Sequence, residues 1–170
     1  MSSFYCFYTG NLMRLTTKSR YGLRMVLDLA LNANRGPVPL NDIAHRQNIS
    51  MKYLEKLIRK LRGGGVVTSQ RGAYGGHQLA RQPEKITVGD IVRLLEDCTA
   101  LTDCAEREDM VCGICNRAGD CLSQWVWIEA SKALFDRLDK ITIEQLMRNR
   151  AALIQEVQSH QDLPQAITGN

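Results

Sequence analysis

Histidine, aromatic residues and long apolar runs are all scarce in this 170-residue chain. Its three histidines, His45, His77 and His160, are scattered, and no Ser/His/Asp or Cys/His arrangement gives a general base an evident setting. That pattern argues against an enzyme, and no small-molecule substrate is expected. Aromatics make up 6% of the residues, and no stretch approaches the ~18 apolar residues of a membrane span. The first twelve residues, MSSFYCFYTGNL, hold no Lys or Arg and no long apolar run, so they fail as a signal peptide. Met13, followed by Arg14-Leu15-Thr16, looks the better start, and residues 1–12 read as an extension of unknown role. Neither G-x-x-x-x-G-K-S/T nor G-x-G-x-x-G occurs, which removes the usual phosphate-cradling loops. Cysteine is missing from most of the chain too. Outside residues 98–121 only Cys6 remains.

What is present is unevenly distributed. Residues 13–97 hold 15 Lys and Arg against 7 Asp and Glu, a balance of +8, whereas residues 98–170 hold 7 against 11, a balance of −4. A net +4 spread evenly would be ordinary solvation. Segregated by half, it points to a polyanion partner for the first half. A cytoplasmic protein with clustered cysteines more often binds metal or senses redox state than builds structural disulfides.

The basic half predicts three helices and a hairpin. Residues 16–33 place Tyr21, Leu23, Met25, Val26, Leu29 and Ala30 on one helical stripe, ended by Gly36-Pro37. Residues 40–47 predict a short second helix with Asn41 or Asp42 as capping candidates. After the break Asn48-Ile49-Ser50, with Ser50 suited to cap, residues 51–62 predict a third helix stopped by Gly63-Gly64-Gly65. Two helices joined by so short a turn are the helix-turn-helix pattern, whose second helix enters the major groove. In that helix Leu54, Leu57, Ile58 and Leu61 form the core stripe, while Lys52, Lys56, Arg59, Lys60 and Arg62 lie largely elsewhere, interrupted by Glu55. Alone, this would equally suit a solvated amphipathic helix. Residues 66–80 decide the matter, reading as a glycine-rich hairpin with Arg71-Gly72 and Gly75-Gly76 in its middle. Its glycines permit positive φ and close approach, and Arg71 suits phosphates or a narrow minor groove. His77 beside the hairpin reads as structural. The expected DNA face carries Ser50, Lys52, Tyr53, Glu55, Lys56 and Arg59 on the helix, with Arg71, Gly72 and Gly75 on the wing.

A fourth helix over residues 87–97 starts at a capping pattern, Thr87 with Asp90, and should return its apolar face to the core. It delivers the chain into Cys98, Cys104, Cys112, Cys115 and Cys121, the last four spaced C-x7-C-x2-C-x5-C. This stretch is about twice as long as connections without secondary structure usually run, and a bound cofactor would supply ordering energy. A structural zinc site prefers paired C-x2-C knuckles, and only Cys112 and Cys115 make one. A thiol switch needs merely two cysteines. An iron–sulfur cluster takes four cysteines at irregular spacing. On spacing alone cluster and zinc stay level, with thiol chemistry third. Residues 122–138 then predict a long helix bearing Trp125, Ile128, Leu134 and Leu138, expected as a homodimer interface because helix-turn-helix proteins usually bind two-fold operators. Trp127 and Phe135 widen its apolar surface, and the small first half is expected to offer little to cover them. A last helix, from a second capping box at Thr142 and Gln145, is expected to reach about Val157.

Four segments together, Met13-Arg14-Leu15-Thr16, Ile49-Ser50-x-x-Tyr53-Leu54-Glu55, Ser69-x-Arg71-Gly72-x-x-Gly75-Gly76 and Cys121-Leu122-x-x-Trp125, resemble the IscR-type family of bacterial iron–sulfur-sensing winged-helix regulators. The resemblance runs over residues 13 to 154. It implies a fold that is mainly α with a small β wing: a winged helix-turn-helix (13–97), a cysteine-rich cluster loop (98–121), a dimerisation helix with a C-terminal helix (122–158) and a tail (159–170). It also implies a homodimer on a palindromic double-stranded DNA operator, with Lys52, Tyr53, Glu55 and Arg71 at the DNA. The IscR pattern spaces its cluster cysteines C-x5-C-x5-C, with a histidine three residues on. Here Cys115 and Cys121 keep the second interval, Cys104 takes the first cysteine's place, and Gln124 stands where the histidine would be. Some relatives use an N-terminal-helix carboxylate, and Arg20 stands there instead. Those departures make Cys112 the expected fourth ligand beside Cys104, Cys115 and Cys121 of an iron–sulfur cluster, 2Fe-2S or 4Fe-4S. Cys98 is the less expected member. Cytoplasmic location follows from the same reading, and no membrane partner is expected.

Overall fold

The computed structural model describes residues 15–72, 74–102 and 120–149. Helix α1 spans Thr17–Leu31, with Thr16 as its N-cap accepting from the Lys18 backbone N–H. A 3-10 turn, Ala33–Arg35, follows, where the sequence predicted α-helix through residue 33, and Gly36 at φ +85° redirects the chain. Helices α2 (Leu40–Gln47) and α3 (Met51–Gly63) form the helix-turn-helix. The expected caps differ from those observed. The N-cap of α2 is Pro39, outside the helix from Asn41 and Asp42, and it offers no side-chain acceptor. Ser50 does occupy the N-cap of α3, but only its backbone carbonyl is used, accepting from Tyr53 and Leu54. Between the two helices, Asn48 adopts the left-handed conformation at φ 51°, a state asparagine tolerates better than most residues.

Strands β1 (Val67–Gln70) and β2 (Gly76–Leu79) pair antiparallel from Val67 with Leu79 to Gln70 with Gly76. A second 3-10 turn, Pro83–Lys85, leads to α4 (Val88–Leu95), which opens with the Thr87–Asp90 capping box. Sequence periodicity carried this helix to residue 97. It stops two residues earlier because Glu96 turns extended (φ −83°, ψ 144°) and sends its carboxylate to α1. Helix α5 spans Leu122–Asp139, and α6 spans Ile143–Arg148 behind its own capping box of Thr142 and Gln145. The expected run of α6 to Val157 lies outside the described residues.

One core holds the head together: Met25, Val26 and Leu29 of α1, Ile43 of α2, Leu54, Leu57, Ile58 and Leu61 of α3, and Ile91 and Leu95 of α4. Helices α1, α3 and α4 contribute residues of the stripes their periodicity assigned. Ile143 of α6 is fully buried in the same core, and its N–H donates to the Ile86 carbonyl at 3.0 Å while Val88 N–H donates to that of Ile141 at 2.9 Å. The C-terminal helix therefore packs on the head instead of standing apart with α5. A smaller cluster of Val88, Val92 and Phe135 joins α4 to α5. Phe135, which the sequence left uncovered, is thus buried inside the chain, and the Arg93 guanidinium lies 4.4 Å from its ring centroid while bonding both carboxylate oxygens of Asp139. Among the described residues no helix is long and apolar enough to cross a membrane.

Candidate nucleic-acid interface and cysteine loop

The stripe that buries α3 also sets what it presents outward. With Leu54, Leu57, Ile58 and Leu61 in the core, Ser50, Lys52, Glu55, Lys56 and Arg59 are all exposed. Tyr53 differs from its neighbours. It is half-buried, meets Tyr21 of α1 edge-to-face at 5.9 Å between centroids, and shares a 3.1 Å hydrogen bond between its hydroxyl and Thr17 Oγ1. This anchors the first turn of α3 to α1 and leaves only part of the ring outward. Arg24 continues the brace, stacking 5.4 Å from the Tyr21 centroid and donating its Nε to Gln47 Oε1 at 3.1 Å. On the other flank, Asp28 is buried and accepts from Arg46 Nη2 at 2.6 Å, Arg46 Nε at 3.1 Å and Gln47 Nε2 at 2.8 Å. Both donors sit in the last turn of α2, immediately before the turn into α3, so α1 fixes the start of α3 from two sides.

The wing is pinned at its base and open at its tip. Val38 and His77 exchange backbone hydrogen bonds of 2.8 Å in both directions, joining β2 to the segment before α2. His77 Nδ1 shares a 3.0 Å bond with Ser69 Oγ. Burial, and secondarily the nearby Arg62 charge, push the His77 pKa down, so the ring is neutral, in keeping with its structural reading. A Cβ on Gly76 would fall 2.6 Å from the carbonyl carbon and oxygen of Val38, and one on Gly75 2.4 Å from the Gln70 carbonyl oxygen. These two glycines are therefore required by the wing's own backbone. At the tip Arg71 and Gly72 are exposed, Gly72 has φ +117°, and its carbonyl accepts from Gly75 N–H at 3.0 Å. Tyr74 beside them is 93% exposed, a residue the motif reading passed over because the glycines around it drew the attention.

The cysteine loop is described only at its ends. Cys104, Cys112 and Cys115 lie outside the described residues. Cys121 is the N-cap of α5, partly exposed, with its Sγ 3.0 Å from Ser123 Oγ. Cys98 is buried, its Sγ 3.7 Å from the Ala100 carbonyl. Gln124 lies in the first turn of α5, donating its N–H to the Cys121 carbonyl, and Arg20 is exposed with its guanidinium 5.9 Å from the Tyr21 centroid.

Directly before the loop stands a pair of acids that sequence reasoning treated as the end of a helix. The Glu96 carboxylate, 8% exposed as a residue, accepts from Thr16 N–H at 2.9 Å, Thr16 Oγ1 at 3.0 Å and Ser19 Oγ at 2.5 Å. It thereby occupies the positive end of the α1 dipole. Asp97 pairs with Lys18 of α1 and, at 2.9 Å, with Lys60 of α3. Hydrogen bonds from Lys18 and then Lys60 hold its carboxyl well below the usual range, at about 2. Two acids at the C-terminal end of a helix oppose its dipole, and that conflict was the available signal that they serve another partner.

On the exit side, α5 leaves Leu122 93% and Trp125 67% exposed, with Val126 and Trp127 also in solvent. Ile128 and Leu134 are half-buried, and Leu138 packs against the α4–α5 cluster. Trp127 is thus left open as the sequence suggested.

Known proteins share this architecture. A protein of Nitratidesulfovibrio vulgaris called rrf2 is 49% identical over 137 residues, covering 81% of this chain and 89% of that protein. The solved structure of IscR from T. potens is 37% identical with a TM-score of 0.64, covering 81% and 88%. That of CymR (YrzC), the global cysteine regulator of B. subtilis, is 38% identical with a TM-score of 0.62, covering 79% and 96%. The profile of the Rrf2 family, described as an iron-dependent transcriptional regulator, matches residues 15–149, and so the chain belongs to the Rrf2 family of DNA-binding transcriptional regulators, which are not enzymes.

Proposed function

We propose that this regulator binds a palindromic operator as a homodimer and tunes that binding through an iron–sulfur cluster held by Cys104, Cys112, Cys115 and Cys121. The observation that carries the reading is the wiring of the loop's two ends. Its entry, Glu96 and Asp97, is bound to α1 and to Lys60 of the reading helix, and its exit, Cys121, caps the helix with the exposed Trp125 and Trp127. An event in the loop therefore bears on both the DNA-reading head and the expected dimer helix. A ligand shifts DNA affinity only through its differential binding to two arrangements of the protein, and this wiring supplies a route for such a difference.

Of the proposed ligands, Cys121 is the one among the described residues. It stands at the N-terminus of α5, partly exposed, whereas Cys98 is buried with its sulfur toward a backbone carbonyl. Bound, the cluster would supply a redox- and iron-responsive bridge among the cysteines. On the DNA side, α3 would read the major groove with Lys52, Glu55, Lys56 and Arg59, while Arg71 enters the neighbouring minor groove or meets its phosphates. Leu122, Trp125 and Val126 would be covered by the second protomer.

Protein purified without oxygen should contain iron and acid-labile sulfide and absorb in the visible, and Cys121→Ala should abolish that absorbance. Arg71→Ala should weaken operator binding several-fold. Likeness to the cysteine regulator CymR favours a second reading, the same DNA function with thiol or zinc chemistry at the loop. Colourless anaerobic protein carrying stoichiometric zinc, or no metal, would select it and overturn the cluster.

A further inference from the structure

Resting on the DNA-binding reading above, we propose that Tyr74 is a DNA-contacting residue of the wing, its ring packing on the sugar walls of the minor groove beside the place where Arg71 enters. The exposure of this side chain is out of keeping with the rest of the head. Among the described residues Tyr21 and Tyr53 are half-buried against each other and Phe135 is buried between α4 and α5. Among the described residues outside α5, Tyr74 is the exposed aromatic, at 93%. A single exposed apolar residue needs no explanation in general. This one stands at the tip of a hairpin whose last cross-strand pair is Gln70 with Gly76, in a short connection whose other residues are Arg71, Gly72, Ala73 and Gly75.

The charge around it selects the partner. From residue 56 to residue 83 the chain has no Asp or Glu, but carries Lys56, Arg59, Lys60, Arg62, Arg71 and Arg81. An aromatic ring in an acid-free basic stretch suits a polyanion with apolar surfaces between its charges, and the minor groove of DNA provides both phosphates and deoxyribose walls. Proteins that enter this groove commonly place apolar side chains against its walls or between its base steps. The hairpin's position also fits. Its base is fixed to the helix-turn-helix by the Val38–His77 bridge, so with α3 in the major groove the tip reaches the adjacent minor groove. Arg71 supplies the charge at the tip, and the ring is what Tyr74 adds.

The test uses the full chain and, as probe, a duplex selected by the wild-type protein from a randomised pool. Its affinity is measured across a salt series for wild type, Tyr74→Ala, Tyr74→Phe and Arg71→Ala. Tyr74→Ala should bind about tenfold more weakly, with the dependence of log K on log salt unchanged. Tyr74→Phe should stay within about twofold of wild type, because the ring is retained. Arg71→Ala should flatten the salt dependence by about one unit. Wild-type affinity in Tyr74→Ala beside a weakened Arg71→Ala overturns the role of Tyr74 and leaves the DNA reading standing. A loss equal in Tyr74→Phe and Tyr74→Ala, or a changed salt slope in Tyr74→Ala, overturns ring packing in favour of a hydroxyl or phosphate contact. Selection of no duplex by the wild type overturns the DNA reading and this inference together. The site is exposed, so matching thermal melts of all four proteins show that folding is not the cause.

Discussion

Asp28→Asn isolates the clamp that fixes the last turn of α2, and so the turn into α3, against α1. The Asp28 side chain is 3% exposed and its partner Arg46 37% exposed. Two donors converge on Oδ2, Arg46 Nε at 3.1 Å and Gln47 Nε2 at 2.8 Å, while Arg46 Nη2 meets Oδ1 at 2.6 Å. Asparagine keeps the shape but offers one acceptor oxygen and one N–H donor group. With its carbonyl in the Oδ2 position, Arg46 Nη2 and, at 3.4 Å, Asn32 Nδ2 face a donor; with the carbonyl in the Oδ1 position, Arg46 Nε and Gln47 Nε2 do. Either way the guanidinium also loses its counter-charge. Removing one partner of a buried pair costs roughly 3–5 kcal/mol. Arg46 is open enough to recover part of its hydration, which brings the expected loss to about 2–3 kcal/mol. Urea unfolding followed by circular dichroism at pH 7 measures it, and a loss below about 0.5 kcal/mol would refute the clamp. Asp28→Asn combined with Arg46→Met should recover at least half of the loss, because the stranded charge is gone.

The same group sets a pH dependence with a definite sign. Burial pushes the Asp28 carboxyl up, but the hydrogen bonds from Arg46 and Gln47 and the Arg46 charge outweigh it and hold the pKa below the ordinary value. A carboxylate depressed in the native state contributes fully above its unfolded pKa of about 4 and loses its contribution as pH falls below that. The stability gap between wild type and Asp28→Asn should therefore be constant from pH 7 down to about 5 and narrow below about 4. A gap that widens on acidification contradicts the assignment.

Gly76→Ala would set a methyl 2.6 Å from the Val38 backbone, which cannot step aside as a side chain could; a loss of about 1–3 kcal/mol in thermal or urea unfolding is expected, with weaker operator binding from a displaced wing. Cys112→Ser should abolish the visible absorbance of anaerobically purified protein while Cys98→Ser retains it, and the reverse outcome would exchange the two in the ligand set.

How much of this was legible in the sequence depended on whether a residue's partner was local. The core stripes of α1, α3 and α4 came directly from periodicity, and both capping boxes, Thr87 with Asp90 and Thr142 with Gln145, from a three-residue spacing. Long-range partners were not legible. Asp28 lies amid an apolar stripe, and nothing in its neighbourhood announces Arg46, 18 residues on. Phe135 looked exposed because its cover, Val88 and Val92 with Arg93 stacked above, comes from another helix. The same holds for Ile143, whose burial depends on α6 returning to the head. At the site itself, the motif reading found the exposed basic side of α3 but could not see that Tyr53 is tethered to Tyr21 and Thr17.

The residues that tie the loop to the head were visible as a conflict before they were visible as contacts. Helical periodicity through residue 97 would have put Glu96 and Asp97 at the negative end of α4, where Arg93 is the basic residue of the last turn. The structure resolves the conflict by ending the helix at Leu95 and spending the two acids elsewhere: Glu96 on the amides and hydroxyls that open α1, Asp97 on Lys18 and Lys60. These bonds differ in kind. Glu96 is buried and held by four groups of α1, whereas Asp97 is exposed and screened by salt. The first fixes where the chain leaves the head, and the second can be made or broken at low cost. Of the two acids, Asp97 is the one adjacent to Cys98, and through it the entry to the loop is paired with Lys60 on the exposed basic side of α3.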